Sequence, residues 1–135
     1  MAERADDAGA PAGLVTRRSA HGVQETIDRL EAAVHERGLT LFARFDHSDE
    51  AREARIQMPE SHVLVFGSPR AGTPLMVRSP LLALELPLRA LVWQQADGEV
   101  NVSYVDPSHL ADRYHLPAEL GRNLGVVEAI VAAAV

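Results

Sequence analysis

The sequence predicts an α+β domain, an antiparallel sheet covered by helices. Two observations carry that reading. Apolar residues switch along the chain between helical spacing and strict alternation, and successive strand-like runs are joined mostly by short turns rather than by helix-length crossovers. The chain is also long enough to bury a core of its own, with 135 residues of which 47% are apolar. The element order reads β-α-β-β-β-α-β-β-α-α, with a tail over residues 1–13 and one domain over residues 14–135.

Leu14 to Arg18 reads as a short strand. Val23, Ile27, Leu30 and Val34 recur at +4, +3 and +4 and make one apolar stripe, so a helix is predicted over 23–37. Gly22 precedes it as N-cap and Gly38 suits the left-handed stop after it. Leu39, Leu41, Ala43 and Phe45 alternate with Thr40, Phe42, Arg44 and Asp46, which predicts a strand with the first set on one face. His47 to Ala51 reads as a turn, Glu53 to Met58 as a strand ended by Pro59, and His62 to Phe66 as a buried strand.

Gly67 to Gly72 carries the signals of a loop. Thr73-Pro74 and Ser79-Pro80 each resemble an N-cap followed by proline at the first helical position, giving two short helices or one kinked at Pro80. A strand over 88–95 and a returning strand over 100–104 flank a turn centred on Asp97-Gly98. Asp106-Pro107 opens a helix over 108–115, and Pro117 opens a last one running to Val135. The Ala- and Val-rich end of that helix reads as a docking surface.

Composition excludes several chemistries. All 13 basic residues are Arg, so no lysine Schiff base or phosphate-loop lysine is available, and the absence of Cys removes thiol nucleophiles and thiolate metal sites. A net charge of −6 with dispersed arginines argues against nucleic acid as partner. No apolar run approaches the ~20 residues of a membrane span, and the first residues lack a signal-peptide core, so the expected location is the cytoplasm with no membrane partner.

Four motifs follow one another through the middle of the chain: Arg44-Phe45-Asp46-His47, Val65 to Met76, Leu86 to Trp93, and Tyr104-Val105-Asp106-Pro107. In this order they resemble the bacterial and archaeal domain-of-unknown-function 302 family, over residues 14–114. Departures are small: the family usually has Asn at Ser68, Ala at Ser48, and often Lys at Arg70. The resemblance implies a compact homodimer and a β-α-β4-α core similar to the TATA-binding-protein fold class, with a curved sheet wrapped on a long helix. It implies no reaction, and similarity to a DNA-binding fold does not carry DNA binding with it.

Candidate chemistry is sparse. Asp46-His47 suggests an acid–base pair, but neighbours on a strand point to opposite faces, and Asp46 can equally cap the following turn. The 67–73 segment offers backbone N–H groups and Arg70 to an anion, with Gly72 and Thr73 at the approach. Its spacing matches neither the phosphate-loop nor the dinucleotide fingerprint, and no cofactor is assigned. A tight connection stiffened by proline accounts for the same residues.

Arg89, Trp93 and Tyr104 suggest a stacking pocket for a planar ligand, against simple packing across a hairpin. Asp106 with His109, and Asp112 with His115, share helix faces without completing a metal site, so no metal is expected. The favoured reading is a module binding a small anionic or planar ligand through Arg70, Gly72, Thr73, Arg89, Trp93 and Tyr104. The alternatives are an enzyme using His47 with Asp46 or Asp106, and a structural module that dimerises through its C-terminal helix.

Overall fold

The structure, a computed structural model, describes residues 11–135; most of the tail expected over 1–13 lies outside the described residues. Five strands, β1 (Leu14–Arg18), β2 (Thr40–Asp46), β3 (Ser61–Gly67), β4 (Leu88–Gln94) and β5 (Val100–Val105), form one sheet in the order β1-β5-β4-β3-β2 with every neighbouring pair antiparallel. The protein is therefore α+β, as its periodicities predict. β1 and β2 run the same way at opposite edges, so the helix between them, α1 (Val23–Glu36), must cross the whole sheet. Its 14 residues extend about 21 Å, comparable to the four strand spacings, about 19 Å, that it has to span.

Ile27, Leu30 and Val34 of α1 are fully buried on one face of the sheet, against Leu64, Phe66, Val92 and Val102. The same layer contains α6 (Val126–Ala134), which buries Val127, Ile130, Val131 and Ala134. The Ala- and Val-rich end read as a docking surface thus docks within the chain itself. Its carbonyl end is held by Arg29, whose Nε donates to the Ala134 carbonyl at 3.3 Å and Nη2 to the Ala133 carbonyl at 3.2 Å, and by the Ala20 N–H donating to the Val135 carbonyl at 3.1 Å. A second, smaller cluster gathers Leu75, Leu82, Leu110 and Leu124 at the end of the sheet.

Several local expectations fail, each for a definable reason. His47 to Ala51 is not a turn but part of a helix, α2 (His47–Glu53), because Asp46 caps it and Asp49 and Glu50 fill its first turn while Arg52 sits in its last. The strand expected at 53–58 does not form. The chain leaves α2 through Arg55 at φ 60°, and Ile56 and Met58 are exposed, so their alternation had no sheet behind it. The loop expected at 67–72 is mostly helix: Ser68 caps α3 (Pro69–Arg78), with Pro69 rather than Pro74 in the first helical position. Thr73 is accordingly inside this helix, and Ser79-Pro80 begins a separate 3-10 turn (Pro80–Leu84).

After α4 (Pro107–Arg113), the helix expected to run from Pro117 to Val135 is broken into α5 (Ala118–Gly121), a 3-10 turn (Arg122–Leu124) and α6. Gly121 and Gly125 mark the breaks. The hairpin between β4 and β5 turns at Gly98 with φ +94°, a backbone geometry L side chains resist.

One irregularity redistributes the side chains of β2. Leu41 pairs with Phe66 and Ala43 with Val65, so Phe42 is an extra residue, a β-bulge. Before it, Leu39 and Leu41 pack on the helix-covered core. Beyond it the alternation is inverted: Phe45 pairs with Val63 on the open face and is 47% exposed, while Arg44 and Asp46 share the helix-covered side with Leu64 and His62. Arg44 there meets Glu31 of α1 at 3.1 Å. The single apolar face predicted for Leu39, Leu41, Ala43 and Phe45 is therefore split in two.

Core burial of this kind fixes a scale for substitution. Leu30→Ala should lower the unfolding free energy by about 2–5 kcal/mol, whereas Ile56→Ala should stay within about 0.5 kcal/mol; urea denaturation of the two variants checks both.

Candidate functional site

Two groups of side chains stand out, at opposite ends of β3. The first lies where β3 runs into α3. Ser68 accepts a long hydrogen bond from the Ala71 N–H at 3.4 Å, and Asn123 Nδ2 donates to the Ala71 carbonyl at 3.1 Å, tying the 3-10 segment of 122–124 to the start of the helix. Between these elements and the bulge is a cavity of about 210 Å³, whose walls include Phe42, Gly72, Thr73, Met76, Leu86 and Leu124. None of its lining residues is charged, and Ser68, Thr73 and Asn123 are its polar side chains.

The residues expected to bind a ligand divide here. Gly72 and Thr73 line the cavity, but Arg70 is exposed on α3 and does not. Arg89 is placed by its pairing with Val65 on the open face of the sheet, as is Trp93, whose indole N–H donates to Ser103 Oγ at 2.8 Å. Tyr104 pairs with Val15 on the opposite face and is buried in the core, so Trp93 and Tyr104 cannot share a stacking pocket.

The catalytic candidates do not converge either. His47 begins α2 and is exposed. Asp106 caps α4, accepting from the Ser108 N–H at 3.0 Å and from Ser108 Oγ at 2.8 Å. Asp46 and Asp106 end β2 and β5, which run in opposite directions with two strands between them, so they lie at opposite ends of the sheet. His109, read as a possible ligand beside Asp106, packs its ring against Gly13 instead, where an added Cβ would come within 2.5 Å of it.

The second group forms around Asp46 with a partner the sequence did not suggest. Across the β2–β3 pairing Asp46 faces His62, which is 5% exposed. His62 Nε2 is 2.6 Å from Glu60 Oε2, and its Nδ1 is 3.7 Å from Asp46 Oδ2 and has no hydrogen-bond partner. Ser48, also buried, donates to Asp46 Oδ1 at 2.5 Å and lies 3.1 Å from Glu60 Oε2. Arg52 approaches both carboxylates from outside, at 3.9 Å and 3.6 Å.

Electrostatics follow from these contacts. The Ser48 hydroxyl, then the Asp49 N–H, with His62 and Arg52 nearby, hold the Asp46 carboxyl below its ordinary value against a smaller opposing effect of burial. Glu60 is lowered chiefly by its hydrogen bond to His62. Asp46, Glu60 and His62 each offer a ligand atom within 4.8 Å of the others, the only such trio among the described residues. The signal lay in cross-strand register: only the bulge brings Asp46 to the side of His62, while the capping role read from the sequence for Asp46 is also present.

Residues 15–133 match the family described as domain of unknown function DUF302. The chain belongs to that family. A solved DUF302 structure, an uncharacterised conserved protein from Bacillus stearothermophilus, superimposes with a TM-score of 0.76 over 92% of this chain and 96% of that one, at 20% identity. That likeness establishes the fold alone. Proteins named fluoride-specific ion channel FluC 1 from Brucella suis and Brucella abortus are each 41% identical over 104 residues, 77% of this chain. The chain spans only 41% and 38% of their respective lengths.

Two outcomes are expected from this geometry. Because both carboxyls sit below their unfolded values, the unfolded chain binds more protons as the pH falls. Their stabilisation should be complete above about pH 5 and lost as the pH drops through about 4.5 and below. Urea unfolding between pH 3 and 7 should show that loss, and the Asp46→Asn, Glu60→Gln double variant should show less of it. At the other end, Gly72 is interior to α3 and an added Cβ would sit 3.7 Å from Leu86. Gly72→Ala should therefore stabilise the protein by about 0.5–1 kcal/mol in the same assay.

Proposed function

We propose that this DUF302 domain is a small-molecule-binding module, acting as a cytoplasmic homodimer, whose ligand enters the cavity beside α3. The observation that carries this reading is the cavity itself, a recess with uncharged walls at the junction of β2, β3, α3 and the 122–124 turn. Its volume of about 210 Å³ is below the ~300–1,000 Å³ of drug-sized pockets, so the ligand is small or inserts only one group. The walls favour an apolar or planar body, with Ser68, Thr73 and Asn123 as its polar contacts. An anionic end would have to point outward toward solvent.

The Brucella relatives suggest a setting. In proteins named as fluoride-specific channels, the region like this chain takes up about two-fifths of the length. Among the described residues here, no helix is long and apolar enough to cross a membrane. We read the module as an accessory to such a channel, sensing a small ligand, with the pore assigned to the remaining three-fifths of those relatives. Catalysis through His47 is not favoured, since Asp46 turns to Ser48 and His62 instead.

Methyl-detected NMR titration with benzoate, indole and octanoate tests the reading. At least one probe should shift Leu75, Met76, Leu86 and Leu124 together, and Gly72→Phe, which fills the cavity, should abolish the shifts. If none of the three moves these methyls, or Gly72→Phe leaves the shifts intact, the cavity is not a binding site.

A further inference from the structure

We infer that Asp46 Oδ2 and His62 Nδ1 form a site for a divalent transition-metal ion such as Zn2+, with Glu60 orienting the imidazole from its other nitrogen. Two carboxylates near one another would not suffice for this. The deciding feature is His62: a residue buried to 95%, with a ring nitrogen that has no hydrogen-bond partner and lies 3.7 Å from a carboxylate oxygen. The inference does not depend on the cavity, which lies at the far end of β3.

The two ring nitrogens have different surroundings. At 2.6 Å, Nε2 and Glu60 Oε2 are at hydrogen-bond distance, too close for both to ligate one ion. The tautomer with its proton on Nε2 donates to Glu60 and turns the Nδ1 lone pair toward Asp46. Across that side the separation is 3.7 Å, longer than a hydrogen bond but shorter than the ~4.2 Å sum of a Zn–N and a Zn–O bond. An ion therefore fits between them in a bent arrangement, completed by water on the half-exposed Asp46 side.

The arrangement matches the general rule for histidine ligands, in which the second ring N–H donates to a carboxylate that fixes the tautomer and raises the basicity of the ligating nitrogen. Mixed imidazole and carboxylate donors suit Zn2+ and its neighbours better than Mg2+ or Ca2+. Ser48 holds the other Asp46 oxygen, so Oδ2 is the one that faces the ring, with Arg52 Nη2 3.9 Å from it on the solvent side. The opposing charge is Arg52, 57% exposed and paired also with Asp49 at 3.3 Å. It is free to withdraw toward Asp49 when a cation enters.

Calorimetric titration of the full chain with ZnCl2 tests this, with His62 Nδ1 followed by long-range 1H–15N NMR. The wild type should bind one equivalent of Zn2+ that moves the Nδ1 resonance. Glu60→Gln should bind about 10–100-fold more weakly, as expected for loss of an orienting carboxylate. Asp46→Asn should lose the site, yet Asn caps a helix as well as Asp does, so its fold is retained even if His62→Gln does not fold. The proposal is overturned if the wild type binds no Zn2+, if Asp46→Asn binds it equally well, or if the Nδ1 resonance stays still while surface histidines take up the ion.

Discussion

The β-bulge at Phe42 is the constraint on which the polar end of the molecule depends. Side chains of a strand alternate with period two, so one inserted residue sends everything beyond it to the other face. Without it, Phe45 would face α1 and Asp46 would sit on the open side of the sheet. With it, Arg44 reaches Glu31, Asp46 meets His62, and Phe42 is left to wall the cavity near α3. Phe45, now 47% exposed, is the apolar surface given up for this arrangement.

Crossing imposes the second constraint. Because β1 and β2 are consecutive in sequence yet occupy opposite edges, α1 has to lie over the middle of the sheet, and its stripe of Ile27, Leu30 and Val34 becomes the centre of the core. α6 then fills the remaining width. The Ser19–Thr26 hydrogen bond of 2.7 Å closes the entry to α1, with Thr26 also donating to the Gly22 carbonyl. The polar atoms buried at that corner are thus satisfied by one another.

Elements with one strong periodicity were legible in the sequence. The stripe of α1, the strands 14–18 and 88–94, and the Asp97-Gly98 turn came through because local pattern and tertiary environment agree. Two segments that depend on a cap were not, although the Asp106 cap of α4 was. Asp46 and Ser68 each convert an apparent turn or loop into a helix by accepting one backbone N–H, and composition weighs those residues equally as turn formers. Of the candidate site, Gly72, Thr73 and Asp46 were legible. His62 and Glu60 were not, because a bulge has no signature in a strand of alternating residues, and long-range register decides which side chains meet.

The distance between the two ends of β3 has an electrical consequence. From His62 to Gly67 the strand advances five residues, about 17 Å, roughly twice the screening length of ~8 Å at physiological ionic strength. Through solvent, a charge gained or lost beside Asp46 is therefore largely screened before it reaches the recess beside Gly72. What the two ends share directly is the strand itself, with Leu64 and Phe66 packed between them.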